Sequence, residues 1–397
     1  MNANLSSNRK VPFSRVDCDG NELEYIRQVL ESGWLTTAGK AREFETRFAA
    51  DVGAKHALAV NSCTAGLHLA LEAIGIGPGD RVLVPTLTFT ATAEVARYLN
   101  ADLVLCDIDE RTGLVTPEIV DSALAAHPDV KAFLPVHYAG QTAQMLDDPE
   151  RGEGLLAVCR RRGVKIVEDA AHAFPARRQG RTVGALGDLT CFSFYANKTI
   201  TTGEGGMVTT EDDALASRIR VMRLHGIDRD VWTRYTNPKA SWEYDVIAPG
   251  YKYNMPDLNA AIGLAQLERA EEMRKRRQDA VQLYRERLRD FDAVQLLDLE
   301  VAPEDHAWHI FVVRVSPKAR HSRNDLIPLL NERGVGTSVH YKPLHRMTYY
   351  RDRYQLDPTL FPQAERFWNS CLALPLYPSI AEEEIDWVCQ TLEELLG

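Results

Sequence analysis

Between residues 56 and 210, short runs of almost continuous apolar residues alternate with stretches whose apolar positions recur at helical spacing. The runs 56–60, 81–84, 103–106, 132–136, 164–168, 189–194 and 206–210 predict strands covered on both faces. Between them, 65–74, 92–99, 117–126 and 154–162 read as helices, and that alternation predicts a mostly parallel seven-stranded α/β sheet. Such sheets place ligands at the carboxyl ends of their strands, so chemistry is expected in the loops that follow them. After Gly250 the texture changes. Residues 256–290 read as one long helix with Pro256 near its first turn. Strand-like 309–315, helix 322–333, strand 336–340 and helices near 361–369 and 381–396 follow. The expected organisation is a large domain with an N-terminal arm over 1–255, then a connecting helix and smaller C-terminal α/β domain over 256–397.

Composition narrows the class. With 45% hydrophobic and 26% charged residues over 397 positions, the chain is neither disordered nor fibrous. Lys+Arg 46 against Asp+Glu 56 gives a net charge of −10, the wrong sign for a general nucleic-acid binder. The densest basic run, Arg274-Lys275-Arg276-Arg277, reads as a solvated helix face. No apolar stretch approaches the ~20 residues of a membrane span, and the polar segment 1–15 lacks a secretory-signal core. A soluble cytoplasmic protein is expected. The seven cysteines are scattered without a CxxC pair, which favours reduced thiols, buried at Cys106, Cys159 and Cys191, over disulfides or a zinc site.

Candidate chemistry concentrates in 164–210. Asp169 ends a buried-strand pattern, Ser193 stands in the next strand, and Lys198 follows it; the turn Gly203-Glu204-Gly205-Gly206 then feeds another apolar strand. Taken singly, such an Asp is usually a cap and such a Lys solvated. Together they meet the needs of pyridoxal phosphate (PLP) chemistry: a lysine to form the Schiff base and a carboxylate to keep the pyridine nitrogen protonated. As a free amine, the same lysine can move protons. A phosphate would suit the turn Asn61-Ser62-Cys63-Thr64, where a strand meets a helix N-terminus and Thr64 adds a hydroxyl, although capping alone also accounts for that turn. Phe89, just past strand 81–84, is placed to stack on a planar ring or to fill core.

These segments resemble the DegT/StrS family of sugar aminotransferases, which are fold type I PLP enzymes. The likeness covers nearly the whole chain, through Ser32-Gly33-Trp34-Leu35-Thr36-Thr37, 61–71, 85–89, Pro135-Val136-His137-Tyr138-Ala139-Gly140, Glu168-Asp169-Ala170-Ala171-His172, 191–198, 201–206, Gly250-Tyr251-Lys252-Tyr253-Asn254-Met255 and Leu374-Pro375-Leu376. It implies the PLP transferase fold, with Lys198 carrying the cofactor and acting as acid/base. Asp169 is implied on the pyridine nitrogen, Phe89 against the ring, and His172 near the ring oxygen. Cys63 (through its backbone, since the family has Gly, Ala or Ser there), Thr64 and Ser193 are implied to hold the phosphate. Asn254 from a neighbouring subunit is implied to hold the phosphate as well, so that a homodimer shares the site. Trp34, Thr36, His225, His340 and Tyr341 are implied substrate contacts.

The resemblance further implies a nucleotide-linked keto-sugar as acceptor, L-glutamate as donor, and a cofactor cycling through pyridoxamine phosphate. Relatives with His in place of the Schiff-base lysine are dehydratases; here Lys198 keeps the transaminase pattern. A keto-cyclitol aminotransferase of the same family and a non-catalytic PLP-binding regulatory protein are the rival readings.

Overall fold

A computed structural model describes residues 9–228 and 244–397; the first eight residues of the polar N-terminus lie outside them. Strands β1 (His56–Val60), β2 (Arg81–Pro85), β3 (Asp102–Cys106), β4 (Val130–Phe133), β5 (Lys165–Asp169), β8 (Leu189–Ser193) and β9 (Gly206–Thr210) form one seven-stranded sheet in the order β1-β9-β8-β5-β4-β2-β3. All seven predicted runs are present. Only β9 is antiparallel, inserted between β1 and β8; β8, β5, β4, β2 and β3 pair in parallel. The two-residue strands β6 (Arg177–Arg178) and β7 (Arg181–Thr182) make a small separate ribbon.

Period-two alternation explains why these runs are apolar throughout. Leu58 and Val60 of β1 pack on one side with helix α3 (Cys63–Ala73). Ala57 and Ala59 face the other side, against Phe44 and Phe48 of helix α2 (Gly39–Val52). The predicted helices appear as α3, α4 (Ala91–Tyr98), α5 (Pro117–Ala126) and α6 (Leu155–Arg162), with α1 (Glu22–Ser32) before them and α7 (Asp213–Met222) after the sheet. Thr116 caps α5 by accepting from the Ile119 N–H, with Pro117 at its first position.

Three expectations change in the C-terminal third. The predicted single helix is two, α8 (Asp257–Glu268) and α9 (Ala270–Arg287), because Arg269 leaves helical geometry at φ −112°, ψ 6°. Its guanidinium there bonds Asp17 Oδ1 at 2.8 Å. The predicted strand 336–340 is not a sheet member: Gly336 is drawn to Val11, and Ser338 makes one isolated bridge to Ala373. Its place is taken by β12 (Cys371–Leu374), four buried apolar residues beside β11 (Phe311–Val315), with β10 (Val294–Leu296) on the other edge. Finally, the basic run is only half solvated, since Arg274 and Arg277 are buried.

The small sheet has two dry faces. Phe311, Val313 and Val315 pack with Tyr284 of α9 and Val388 of the final helix (Glu382–Leu396), while Val312 and Ala373 join the core beneath the large sheet. Val11 of the N-terminal arm belongs to the first of these clusters and bridges Val335.

Candidate active site

At the carboxyl ends of β1, β5 and β8 lies a cavity of about 490 Å³, lined by Cys63, Thr64, Phe89, Asp169, Ser193, Lys198, His340 and Tyr341 among others. These are eight of the thirteen residues singled out from the sequence, and they come from five separate segments.

The lysine sits on a pinned loop. The Lys198 N–H donates to Tyr195 O (2.9 Å), the Phe194 N–H to Gly205 O (2.9 Å) and the Thr202 N–H to Phe194 O (2.9 Å). Asn259 Nδ2 closes the far side on Thr202 O and Glu204 O. Burial pushes the Lys198 ammonium down to about 8, against the opposing pull of Cys63 and Asp169. A lysine so placed is half free amine near pH 8, as proton transfer and carbonyl attack require.

Asp169, at the end of β5, is 5% exposed. Its Oδ2 accepts from Thr92 Oγ1 at 2.7 Å and its Oδ1 from the Ala171 N–H at 3.1 Å. Burial raises its carboxyl, and the Thr92 and Ala171 bonds oppose that.

One wall of the cavity is a helix N-terminus. Ser62, not Cys63 or Thr64, is the cap: its Oγ accepts from the Ala65 N–H at 3.0 Å, so α3 begins two residues before the predicted start. Cys63 and Thr64 are therefore first-turn residues whose N–H groups precede the helical bonds. Gly206 lies between Val60 and Ser193 in the sheet register. A Cβ there would come 2.7 Å from the Cys63 nitrogen, so the missing side chain keeps the strand against the cradle. The Cys63 thiol is pushed well up by burial and stays protonated, in keeping with a backbone contribution.

Around Tyr341 stands an aromatic cluster. His172 Nε2 and Tyr341 Oη are 2.8 Å apart, and the rings of His172 and His309 are 4.4 Å apart. His309 Nε2 lies 3.4 Å from Lys198 Nζ. Phe13 of the N-terminal arm stacks on His340 at 5.7 Å, and Tyr138 Oη donates to the His340 carbonyl. Phe89 is 55% exposed, with its ring 5.8 Å from that of Tyr341, so it is a cavity wall rather than core. His172 is buried and bonded to Tyr341, which lines the cavity where His172 does not.

Sequence reasoning missed His309, Thr92 and the supporting pair His137–Glu168. His137 Nε2 lies 2.8 Å from Glu168 Oε2, both fully buried. His137 Nδ1 accepts from the Ala143 N–H, which leaves Nε2 to donate to Glu168. His309 opens a strand-like run, so its signal was a polar residue at the head of an apolar stretch. The loop Tyr138–Gly140 positions it, through Ala307 N–H to Gly140 O (2.8 Å) and Ile310 N–H to Ala139 O (3.3 Å).

Asn254, Trp34, Thr36 and His225 do not line the Lys198 cavity. Asn254 Nδ2 donates to Thr37 Oγ1 at 2.6 Å and lines a different cavity of about 500 Å³, with Thr37, Arg220 and Arg223. Thr36 O accepts from the Asp257 N–H, and the His225 N–H donates to Tyr251 O, so both attach to the same 251–257 segment. Trp34 is half-buried beside them in sequence.

The residues fit a cofactor with an anionic tail and a basic ring nitrogen. Buried Asn197 Oδ1, His172 Nδ1, His309 Nδ1 and His340 Nδ1 have no hydrogen-bond partner, which marks this as a region built around a further group. Among the described residues no cluster suited to a metal ion occurs, and no helix is long and apolar enough to cross a membrane.

Comparison with known proteins agrees with this reading. Residues 16–393 match the family model described as the DegT/DnrJ/EryC1/StrS aminotransferase family. The chain is 42% identical over 393 residues to the spore coat polysaccharide biosynthesis protein SpsC of Bacillus subtilis (strain 168), covering 98% of each. The putative sugar aminotransferase Spr1654 of Streptococcus pneumoniae, solved in PMP form, superposes with a TM-score of 0.87 at 30% identity, over 98% of each chain. DesV of S. venezuelae, solved with a ketimine intermediate, gives 0.85 at 31% identity, again over 98% of each. With a family match over residues 16–393, this chain belongs to the DegT/DnrJ/EryC1/StrS aminotransferases.

Proposed function

We propose that this sugar aminotransferase transfers the amino group of L-glutamate to a nucleotide-linked keto-sugar, forming a nucleotide amino-sugar. The observation that carries the site assignment is the convergence of Lys198 and Asp169 in one cavity with the N-terminus of α3 and Ser193. The cofactor is pyridoxal 5'-phosphate, which when bound supplies an electron sink for the carbanion formed at the amino-bearing carbon and stores the amino group between substrates as pyridoxamine phosphate.

The protein's part is positioning and proton handling. The Cys63 and Thr64 N–H groups, with the Ser193 hydroxyl, hold the phosphate at the positive end of α3. Asp169 holds a proton on the ring nitrogen, and Phe89 limits the ring's movement. Lys198 Nζ, near half-ionised at pH 8, takes the proton from the donor carbon and later returns one to the sugar carbon. His172, fixed by Tyr341, serves the ring oxygen. His340 and Tyr341 wall the substrate side of the cavity.

Asn254 is assigned to the phosphate site of a second copy in a homodimer, and Trp34, Thr36 and His225 to substrate contact. Asn254 bridges Val60 beside the cradle yet lines a different cavity rather than that of Lys198, which supports its assignment.

The test is an absorbance spectrum of the purified holoenzyme before and after L-glutamate, without acceptor. Conversion to the pyridoxamine form, reversed by a nucleotide-linked ketone and not by an inosose-type ketone, is the expected result. Reversal by the cyclitol ketone alone would overturn the nucleotide-sugar assignment. A spectrum that no amino donor moves would overturn turnover altogether.

A further inference from the structure

We propose that Thr92 and Thr88 form a directed hydroxyl chain that keeps Asp169 ionised, making Thr92 a positioning residue for the reaction. The inference rests on the reading above that Asp169 faces the cofactor's ring nitrogen. Thr88, Thr92 and Asp169 are all buried, the two threonines completely. Thr92 Oγ1 is 2.7 Å from Asp169 Oδ2 and 3.2 Å from Phe89 O. It has one proton, and the shorter contact, to a charged oxygen, takes it. The Thr88–Thr92 oxygens are 2.6 Å apart. With the Thr92 proton committed to the carboxylate, Thr88 must be the donor on that link. The order is therefore Thr88 to Thr92 to Asp169, and each hydroxyl polarises the next.

Elsewhere around the carboxylate the supply of donors is thin. Oδ1 has the Ala171 N–H at 3.1 Å. His137 gives its backbone N–H to Asp169 O and its ring to Glu168, so it donates nothing to the carboxylate. The hydroxyl chain and one backbone bond are thus the direct hydrogen bonds that oppose the burial of this anion, with the nearby charges of Lys198 and His137 acting in the same direction. A carboxyl that protonates here can no longer hold a proton on a ring nitrogen, so the chain sets how strongly the ring draws electrons. The local geometry suits that role. Thr88 and Thr92 are four residues apart across the entry to α4, and Thr92 lies in that helix's first turn.

The experiment compares Thr92→Val, which removes the hydroxyl at nearly constant shape, with Thr92→Ser, which keeps it. The readouts are the ¹⁵N chemical shift of the bound cofactor's pyridine nitrogen and the split between kcat and KM for L-glutamate. Losing a hydrogen bond to a charged group should lower kcat by about ten- to a hundredfold, with the nitrogen shift moving towards the unprotonated value and KM changing little. Thr92→Ser should restore both. An unchanged nitrogen shift and kcat in Thr92→Val would overturn the proposal, and so would a serine variant as impaired as the valine one. Should Thr92→Val not fold, Thr88→Val carries the test: a smaller movement of the same signal is expected, and none would overturn it. A wild-type nitrogen that is already unprotonated would instead refute the placement of Asp169, a result distinct from failure of the hydroxyl chain.

Discussion

His309 Nε2 stands 3.4 Å from Lys198 Nζ, and behind it Arg277 Nη1 donates to the His309 carbonyl at 3.2 Å. The Lys198 amine thus rests against a neutral imidazole whose backbone is held by a buried guanidinium. Burial drives the His309 imidazolium well below its ordinary range, so it adds no positive charge beside the lysine at neutral pH.

The first prediction concerns that amine. In apoprotein, only the deprotonated form attacks a carbonyl, so the rate of PLP capture should rise with pH and level off above a midpoint near 8. Stopped-flow absorbance would show it; a midpoint near the ordinary lysine value of 10.5 would refute the burial argument. Lys198→Ala should keep its fold and lose about 10²–10⁴ in turnover, the usual worth of a positioned acid/base.

A second prediction is acid sensitivity centred on histidine. Burial lowers His306 to about 3 and His340 to about 4, and holds His172 and His309 well below their ordinary range. The unfolded chain, with histidines near 6.5, therefore binds protons first as pH falls. Stability from these groups is complete above about pH 6.5 and lost progressively below it, by roughly 1.4 kcal/mol per pH unit for each histidine titrating in the unfolded state. Calorimetry of the apoprotein between pH 7.5 and 5 should find Tm falling, and a flat profile would contradict the burial of the cluster.

Gly140→Ala tests the clamp on His309. Gly140 has φ +110°, and an added Cβ would approach the His309 and Trp308 nitrogens to 2.9 Å. The backbone conformation alone should cost about 1–3 kcal/mol, and the overlap should displace His309 and shift the lysine midpoint. Gly163→Ala, also at positive φ (68°) but with nothing within 4 Å, is the control: a small loss of urea midpoint and no change at Lys198 are expected. Equal effects from the two would argue against contact with His309 as the cause.

Much of this was legible in the chain, for identifiable reasons. The sheet strands are buried on both faces, so each left a continuous apolar run that needed no tertiary information. Lys198 and Asp169 end or follow such runs, and topology brings them together. What escaped depends on which way a side chain turns. Arg274 and Arg277 are three apart and share the inward side of α9, whereas Lys275 between them is exposed; a run of four cations does not reveal that split. His309 looked like strand because it precedes one. The strand 336–340 had a suitable pattern, but Val11, more than three hundred residues earlier, competes for its edge.

The row Val60–Gly206–Ser193 makes the large sheet a caliper. Its jaws are the start of α3 on one side and the strand leading to Lys198 on the other, with the single antiparallel strand β9 as spacer. Two inter-strand gaps set these strands about 9–10 Å apart, and backbone hydrogen bonds maintain the spacing. Side-chain changes in the cavity can therefore alter its walls without moving the two strand ends that frame it.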